Sequence, residues 1–194
     1  MPSNEILLGV NKTALVLIDL QKGITSSQTS PYASDVIVEN AARIAARFRE
    51  LKALVVLVRV AFSKDGGDRL SPKVDSPMTS SGARPEGWDE IDPRIGVCES
   101  DLVIIKKQWG AFYGTELDLQ LRRRGITTIV IGGIATNYGV ESTARDAYER
   151  GYQLIFVEDA MGSMKIDLHQ FAITHIFPRI GLIRRTEDIL KAMS

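Results

Sequence analysis

The sequence predicts an α/β fold: three layers, α/β/α, around a mainly parallel, doubly wound six-stranded sheet. Two observations predict it. Short apolar runs alternate with longer amphipathic segments, and the runs are rich in β-branched residues without polar alternation. Strands buried on both faces of a parallel sheet have this composition, and alternating strands and helices build such a sheet. A chain of 194 residues suits one domain, residues 1–194.

The predicted strands are short. Five apolar runs of four to seven residues are clear, and a sixth is weaker. The strands are predicted over residues 13–19, 54–59, 102–105, 127–132, 153–157 and, for the weaker run, about 180–183.

Helices are predicted between these strands. Apolar residues from Ile37 to Leu51 recur at spacings of three and four, which places them on one helix face. Thr115, with Asp118 three residues later, predicts a capped helix start, and Gly125 predicts its end. The other helices are predicted over about residues 139–150, residues 167–176 ahead of Pro178, and residues 186–193.

One long stretch, residues 63–100, departs from this alternation and is rich in Gly, Pro, Ser and Asp. Loops of this length are uncommon unless they cover a site or lie at a surface contact. We therefore expect this stretch to cover an active site or to form a contact between the subunits of a homo-oligomer.

Composition excludes several classes of partner. Lys plus Arg is 24 and Asp plus Glu is 24, so the chain has no basic excess for holding nucleic acid. No apolar run is long enough to span a membrane, and residues 1–11 do not resemble a secretory signal. One cysteine and two histidines offer neither a disulfide framework nor a usual zinc site. We expect a cytoplasmic protein that acts on a small molecule without a metal or cofactor.

Polar residues follow several predicted strands. Because ligands of open parallel sheets bind beyond the carboxyl ends of the strands, these positions are candidates for a site. They are Asp19, Gln21, Arg59, Lys106, residues 132–139 and residues 158–159. The pattern leaves alternatives open. Asp19 can instead cap a turn, and either Lys106 or Lys107 can be the lysine that faces the sheet interior.

The glycine-rich segment 131–140 is predicted to be a strand-to-helix turn. Its backbone N–H groups would lie at the positive end of a helix dipole, where they can bind an anion or stabilise developing negative charge. The segment matches neither the dinucleotide-binding fingerprint nor the P-loop. Its spacing alone therefore does not identify a ligand.

Three motifs resemble those of the isochorismatase-like hydrolases, a superfamily that also holds nicotinamidases and N-carbamoylsarcosine amidases. They are residues 13–21, Lys106-x-x-x-Gly-Ala-Phe-x-Gly-Thr115, and Gly133-x-x-Thr-x-x-Gly-Val140 with Thr143-Ala-x-Asp-Ala147. The resemblance runs from about residue 12 to the C-terminus and is weakest over residues 63–100. Residues 109–115 and 136–145 are most similar to an uncharacterised bacterial subgroup.

The resemblance implies roles for particular residues. The family triad is Asp, Lys and Cys, and its positions fall on Asp19, Lys106 and Gly139. A cis peptide bond is implied before Ala135, and the amides of Ala135 and Gly139 are implied to form an oxyanion hole. Glycine cannot supply the thiolate that amide hydrolysis in this family uses, and Cys98 lies before a different strand. The metal ligands of nicotinamidases are missing too, so cysteine-type amidase activity is not expected.

Glycine does occur at this position in true isochorismatases, which cleave a vinyl ether rather than an amide. That reaction needs a general acid and no nucleophilic side chain. We therefore expect hydrolysis of a small anionic metabolite with Asp19 as the acid, its pKa raised by burial against the nearby Lys106 cation. The alternative is a binding protein that has kept the pocket and lost the chemistry.

Further residues are expected to contact the substrate. Arg59 or Arg84 can hold a carboxylate by paired hydrogen bonds, although each can also be a surface or loop arginine. The other expected contacts are Trp109, Phe112 and Tyr138 as walls of the pocket, and Gln21 and Asn137 as groups that orient water or substrate. Core packing is the other interpretation of Phe112.

Overall fold

The protein is described here by a computed structural model that covers residue 6, residues 8–76 and residues 84–193. Its centre is a six-stranded sheet in which every strand is parallel to its neighbours. The strands are β1 (Thr13–Ile18), β2 (Leu54–Val60), β3 (Leu102–Lys106), β4 (Thr128–Ile134), β5 (Gln153–Gly162) and β6 (Leu182–Arg184). Their order is β3-β2-β1-β4-β5-β6, so the chain winds first to one side of β1 and then to the other. The predicted doubly wound α/β fold is confirmed.

Helices connect the strands. They are α1 (Lys22–Thr25), α2 (Ser34–Glu50), α3 (Leu117–Arg123), α4 (Glu141–Glu149), α5 (Ile166–Phe171), α6 (Phe177–Ile180) and α7 (Thr186–Ala192), with a 3-10 turn at Val10–Lys12 and π-helical turns at Thr136–Val140 and Ala172–Ile176. Within the described ranges, no helix has the length and apolar character needed to cross a membrane.

Both faces of the sheet are buried, as β1 illustrates. Ala14, Val16 and Ile18 point into one core, which is closed by α3, α4 and α6. Leu15 and Leu17 point into the other core, against α2 and α7. All five side chains are buried. Because neither face of the strand meets water, its sequence shows no polar alternation.

Three helix boundaries differ from the prediction. The helix expected to be capped by Thr115 begins at Leu117, whose N–H donates to the Thr115 hydroxyl at 3.2 Å. The next helix, α4, begins at Glu141 because a π-helical turn takes the place of its expected first residues. The helix expected over residues 167–176 consists of α5 and the π-helical turn Ala172–Ile176. It continues directly into α6 without ending before Pro178. Pro178 lies in the first turn of α6, where its missing N–H is not needed.

The glycine-rich segment also differs from its prediction. Gly132 lies in β4, as the predicted strand 127–132 has it, but β4 continues through Gly133 and Ile134, which were assigned to the turn. A Cβ at Gly133 would lie 2.1 Å from the Ile18 carbonyl oxygen, and one at Gly132 would lie 2.8 Å from the Ala160 carbonyl oxygen. These glycines therefore let β4 approach its two neighbouring strands. The turn at the ligand edge begins only at Ala135.

The long stretch 63–100 is partly outside the described residues, which omit 77–83. Its part from residue 84 to residue 92, which we call the covering segment, packs against α1. The N–H groups of Lys22 and Gly23 donate to carbonyl oxygens of the covering segment, both at 2.9 Å. The covering segment thus lies at the carboxyl edge of the sheet, where a site was predicted. Its predicted contact with a second subunit stays a prediction.

Candidate active site

Asp19 directly follows β1, at the point where the strand order reverses between β1 and β4. Its φ is 55°, a left-handed conformation that Asp adopts more readily than most residues but that is still uncommon. Its N–H donates to the Val58 carbonyl oxygen at 2.9 Å, which fixes it to β2. Ligands of open parallel sheets bind at such a reversal point.

Asp19 and Lys106 form a buried ion pair. Lys106 is the last residue of β3, and its Nζ lies 2.7 Å from Asp19 Oδ2 and 2.6 Å from the Trp109 carbonyl oxygen. The two side chains are 8% and 1% exposed for Asp19 and Lys106, respectively. The neighbouring Lys107 is 42% exposed and pairs with Asp68. Lys106 is therefore the lysine that faces the interior.

The carboxyl of Asp19 is suited to carrying a proton. Burial raises its pKa to about 6, and the Lys106 cation opposes that rise. Its Oδ1 is buried and has no hydrogen-bond partner among the described residues. A carboxyl group with one oxygen held by a cation and the other unpaired can carry its proton on the unpaired oxygen. A carboxyl in this arrangement can act as a general acid.

Gly139 lies beside the ion pair. A Cβ at this position would lie 2.9 Å from Asp19 Oδ2, 2.9 Å from Ile18 Cγ2 and 3.2 Å from Lys106 Nζ. These atoms leave no room for a side chain unless they shift. The family resemblance assigns the nucleophile to this position. Gly139 provides no nucleophilic side chain, and the surrounding atoms leave no room for one.

The described part of the chain offers neither a thiol beside the ion pair nor a metal-binding cluster. Cys98, the one cysteine of the sequence, is exposed and lies before the start of β3, whereas Lys106 lies at its other end. Among the described residues, no group of three or more His, Cys, Asp or Glu side chains is arranged to hold a metal ion. The ionisable side chains in contact at the site are those of Asp19 and Lys106.

The turn after β4 brings Gly139 to the pair. A cis peptide bond joins Ile134 to Ala135, as the family resemblance implies. The Ala135 carbonyl oxygen accepts hydrogen bonds from the N–H groups of Tyr138 at 3.1 Å and Val140 at 3.2 Å. These bonds close the turn that carries Gly139.

Side chains fix the turn to its surroundings. The Thr143 hydroxyl donates to the Gly139 carbonyl oxygen at 2.7 Å and accepts from the Ala111 N–H at 3.1 Å. It thereby joins the turn to the loop after β3. The Ser163 hydroxyl donates to the amide oxygen of Asn137. This bond leaves the amide nitrogen of Asn137 available, and its predicted contact with water or substrate stays a prediction.

Gln21 does not have the predicted role. It is fully buried. Its Nε2 donates to the carbonyl oxygens of Val60 at 3.1 Å and Trp88 at 3.4 Å, and its Oε1 accepts from the Val60 N–H at 2.8 Å. Because the whole amide binds backbone, Gln21 joins β2 to the covering segment and is not placed to orient water or substrate.

Two further predictions need the same kind of correction. Phe112 is 4% exposed and packs in the core, with its ring centroid 6.0 Å from that of Tyr152. It is a core residue and not a wall of the pocket. The Arg59 guanidinium donates to the carboxylate and to the carbonyl oxygen of Asp89. Arg59 therefore uses Nη1 of the guanidinium that was expected to bind a substrate carboxylate to hold the covering segment to β2.

Trp109 and Tyr138 do lie beside the site. The Trp109 carbonyl oxygen binds Lys106, and Tyr138 immediately precedes Gly139. Their ring centroids are 4.8 Å apart, and the residues are 52% and 38% exposed. The pair presents an open aromatic surface, and its contact with a substrate stays a prediction.

Arg84 belongs to a cluster of cations around Phe62, which follows β2. Its guanidinium carbon lies 4.7 Å from the Phe62 ring centroid and 3.7 Å from the Trp88 ring. The guanidinium carbon of Arg69, a residue that the sequence analysis missed, lies 5.1 Å from the Phe62 centroid. Among the described residues neither arginine forms an ion pair, and Arg69 Nε is buried without a partner. Burial and the nearby Arg69 cation lower the pKa of Arg84, and the Asp89 carboxylate opposes this shift.

Comparison with known proteins gives a consistent result. The isochorismatase domain family model matches residues 13–188. The uncharacterised isochorismatase family protein YecD of Escherichia coli O157:H7 is 48% identical over 186 residues, covering 96% of this chain and 98% of the relative. YwoC of Bacillus subtilis (strain 168), an uncharacterised isochorismatase family protein, is 49% identical over 189 residues, with 97% of each chain covered. A solved isochorismatase family protein from Burkholderia thailandensis is 43% identical, with a TM-score of 0.91 over 96% of this chain and 97% of that chain.

Proposed function

This chain belongs to the isochorismatase family of hydrolases, and from that premise we propose that it hydrolyses a small anionic enol ether by general-acid catalysis, without a cysteine nucleophile. The observation that carries the proposal is the Asp19 carboxyl. It is buried, burial raises its pKa to about 6, and its Oδ1 has no partner among the described residues. Gly139 offers no nucleophile beside it.

The reaction needs one proton donor and one water molecule. Asp19 transfers the proton from Oδ1 to the terminal carbon of the enol ether, which forms a C–H bond and leaves an oxocarbenium ion. Water adds to the oxygen-bearing carbon, and the proton that it releases returns to Asp19. The resulting hemiketal then collapses, and its hydroxyl proton passes to the departing oxygen. The products are an alcohol and a ketone, and the carboxyl is again in its acid form.

Lys106 tunes this acid. Its cation lowers the pKa of Asp19 and thereby opposes the effect of burial. The Trp109 carbonyl oxygen holds Nζ in place, so the ammonium also stabilises the carboxylate that forms when Asp19 gives up its proton.

The cluster around Phe62 supports an anionic substrate. Arg84 and Arg69 are two guanidinium groups without an ion-pair partner in the described residues, and guanidinium binds carboxylate through paired hydrogen bonds. Trp109 and Tyr138 add an aromatic surface for an unsaturated substrate. A carboxylate on the enol ether fits this combination.

Isochorismate and simpler carboxyvinyl ethers are the probes for this reaction. We expect the purified protein to release pyruvate from at least one of them, measured by coupling to lactate dehydrogenase, and Asp19→Asn to release almost none. Nicotinamide and N-carbamoylsarcosine serve as amide controls and should be recovered unchanged. Amide hydrolysis by the wild-type protein, or ether hydrolysis by Asp19→Asn at the wild-type rate, would contradict the proposal. An ether that binds and is recovered unchanged would instead support a binding protein.

The Gly139→Cys variant distinguishes acid-catalysed ether hydrolysis from amide hydrolysis by a thiol. Its Cβ would press on Asp19 Oδ2 and Ile18 Cγ2, each at 2.9 Å, so the ion pair has to shift. We expect this variant to lose ether hydrolysis without gaining amide hydrolysis. A variant that hydrolyses the amide controls would show that the protein is an amidase lacking only its thiol.

A further inference from the structure

His169 is a buried histidine that the proposed reaction does not use. It lies on α5 and is 1% exposed. Its Nδ1 lies 2.9 Å from Oγ1 of Thr136, the first residue of the π-helical turn that carries Gly139. Its Nε2 is buried and has no hydrogen-bond partner among the described residues.

Packing alone does not account for a histidine at this position. Burial lowers the pKa of His169 to about 4, so the ring is neutral near neutral pH. A neutral imidazole still buries one ring nitrogen without a partner, which is less favourable than an apolar side chain of similar size. The contact between Nδ1 and the Thr136 hydroxyl is the feature that an apolar residue could not supply.

The contact between His169 and Thr136 joins the turn to α5. The other side-chain hydrogen bonds to the turn come from different elements. Gly139 is held by Thr143 of α4, and Asn137 is held by Ser163, which follows β5. Thr136, at the start of the turn, is held from α5. Because α5, the segment after β5 and α4 bind the first, second and fourth residues of the turn, each anchor fixes a different residue.

We propose that His169 is a positioning residue, whose Nδ1 holds the Thr136 hydroxyl and thereby sets the Ala135–Gly139 turn against the Asp19–Lys106 pair. The inference rests on the proposed function for its effect on turnover. The hydrogen bond and the position of the turn are properties of the free protein, so they can be tested without a substrate.

Two substitutions distinguish hydrogen bonding from packing. His169→Asn places an amide oxygen or nitrogen where Nδ1 was but leaves a smaller side chain, whereas His169→Leu fills the space and cannot bind Thr136. The readout is the set of backbone amide resonances of residues 135–139 in ¹H–¹⁵N spectra of the whole protein. We expect His169→Asn to keep them near their wild-type positions and His169→Leu to shift or broaden them. The opposite result, with Leu preserving the turn and Asn disturbing it, would overturn the proposal.

The imidazole signals give a second readout. The sequence has two histidines, and His175, which is exposed, is assigned by its loss in His175→Asn. We expect the ring of His169 to stay neutral from about pH 5 to about pH 8, because burial opposes its charge. The Nδ1 shift should change in Thr136→Val, which removes the hydroxyl. If the Nδ1 chemical shift of His169 is the same in Thr136→Val as in the wild type, the proposed hydrogen bond does not exist.

Turnover adds a third readout when an ether substrate is in hand. His169→Leu should lower kcat by about tenfold or more with a smaller change in KM, because the turn is displaced relative to the acid. His169→Asn should recover most of kcat, and Thr136→Val combined with His169→Leu should be little worse than either alone. If no ether is turned over, the spectra still decide the proposal. If the wild-type protein hydrolyses ethers and His169→Leu keeps the full kcat, the positioning role of His169 is wrong. The proposed ether hydrolysis is not contradicted by that result.

Discussion

Two buried aspartates lie at opposite edges of the sheet, each beside a cation. Asp101 immediately precedes β3. Its Oδ1 accepts from Arg49 Nε at 3.1 Å, and its Oδ2 accepts from Arg49 Nη2 at 2.7 Å and from the Cys98 N–H at 2.8 Å. Asp19 follows β1 at the carboxyl edge. Lys106 binds it through Oδ2 alone.

An oxygen without a partner among the described residues distinguishes Asp19, the proposed acid, from Asp101, whose contacts are structural. Both oxygens of Asp101 are bound, so this residue fastens α2 to the start of β3 through Arg49. Asp19 Oδ1 has no partner within the described ranges, and burial raises the pKa of Asp19 to about 6. A buried polar group that the fold leaves unpaired weakens the fold, and such groups concentrate at functional sites.

Replacing each aspartate by asparagine should give the largest contrast between them. Asp19→Asn removes the proposed general acid and should lower kcat for a carboxyvinyl ether by about a hundredfold or more. Asp101→Asn should leave kcat close to wild type and lower the free energy of unfolding by about 2 kcal/mol, because a charged hydrogen-bond pair is weakened. Pyruvate release and urea denaturation measure the two effects. An Asp101→Asn variant as inactive as Asp19→Asn would remove the distinction.

The pH dependence of turnover sharpens the comparison. The reaction needs protonated Asp19, so kcat should be highest below the pKa of about 6 and fall by about tenfold for each pH unit above it. Asp101→Asn should show the same profile as the wild type. The profile is measured by pyruvate release at constant ionic strength. A rate that rises between about pH 6 and about pH 8 would point to a base in place of an acid.

Lys106→Met tests what the cation contributes. Removing the charge that lowers the pKa of Asp19 should move the falling limb of the pH profile upward, by about 1 to 3 pH units. The folded state is checked by circular dichroism at each pH. A limb that stays in place or moves downward would mean that Lys106 does not set the acidity of Asp19.

Breaking an exposed ion pair should have the smallest effect on stability and turnover. It gives a baseline against which the other variants are compared. Arg43 and Glu187 join α2 to α7 at 2.6 Å, with side chains 44% and 61% exposed. Arg43→Ala should change the free energy of unfolding by less than about 0.5 kcal/mol and leave kcat unchanged, because water and salt screen exposed charges. A loss as large as that of Asp101→Asn would show that burial is not what distinguishes these pairs.

The sheet could be predicted because its central strands are buried on both faces, which leaves continuous apolar runs such as residues 13–18. The weakest prediction was β6 (Leu182–Arg184), a three-residue strand at the sheet edge with partly exposed side chains. Asp19 and Lys106 could be placed at one edge because the carboxyl ends of parallel strands meet there. The choice between Lys106 and Lys107 needed the family motif.

Partners of the polar side chains could not be predicted, because they come from irregular segments far away in sequence. Gln21 and Arg59 looked available, yet the covering segment binds both. Arg69 and His169 were missed for a related reason. A single arginine in a loop, or a single histidine on a helix, has no spacing that distinguishes it from a surface or core residue. Only the fold shows that Arg69 forms no ion pair with another described residue and that His169 contacts the turn.

The most direct test of the account is the titration of the Asp19 carboxyl carbon by ¹³C NMR, with the resonance assigned by its loss in Asp19→Asn. We predict a midpoint near pH 6, well above the ordinary value of 3.8, because burial outweighs the Lys106 cation. A midpoint at or below 3.8 would mean that the carboxyl is ionised wherever the protein works, and Asp19 could not then be the acid.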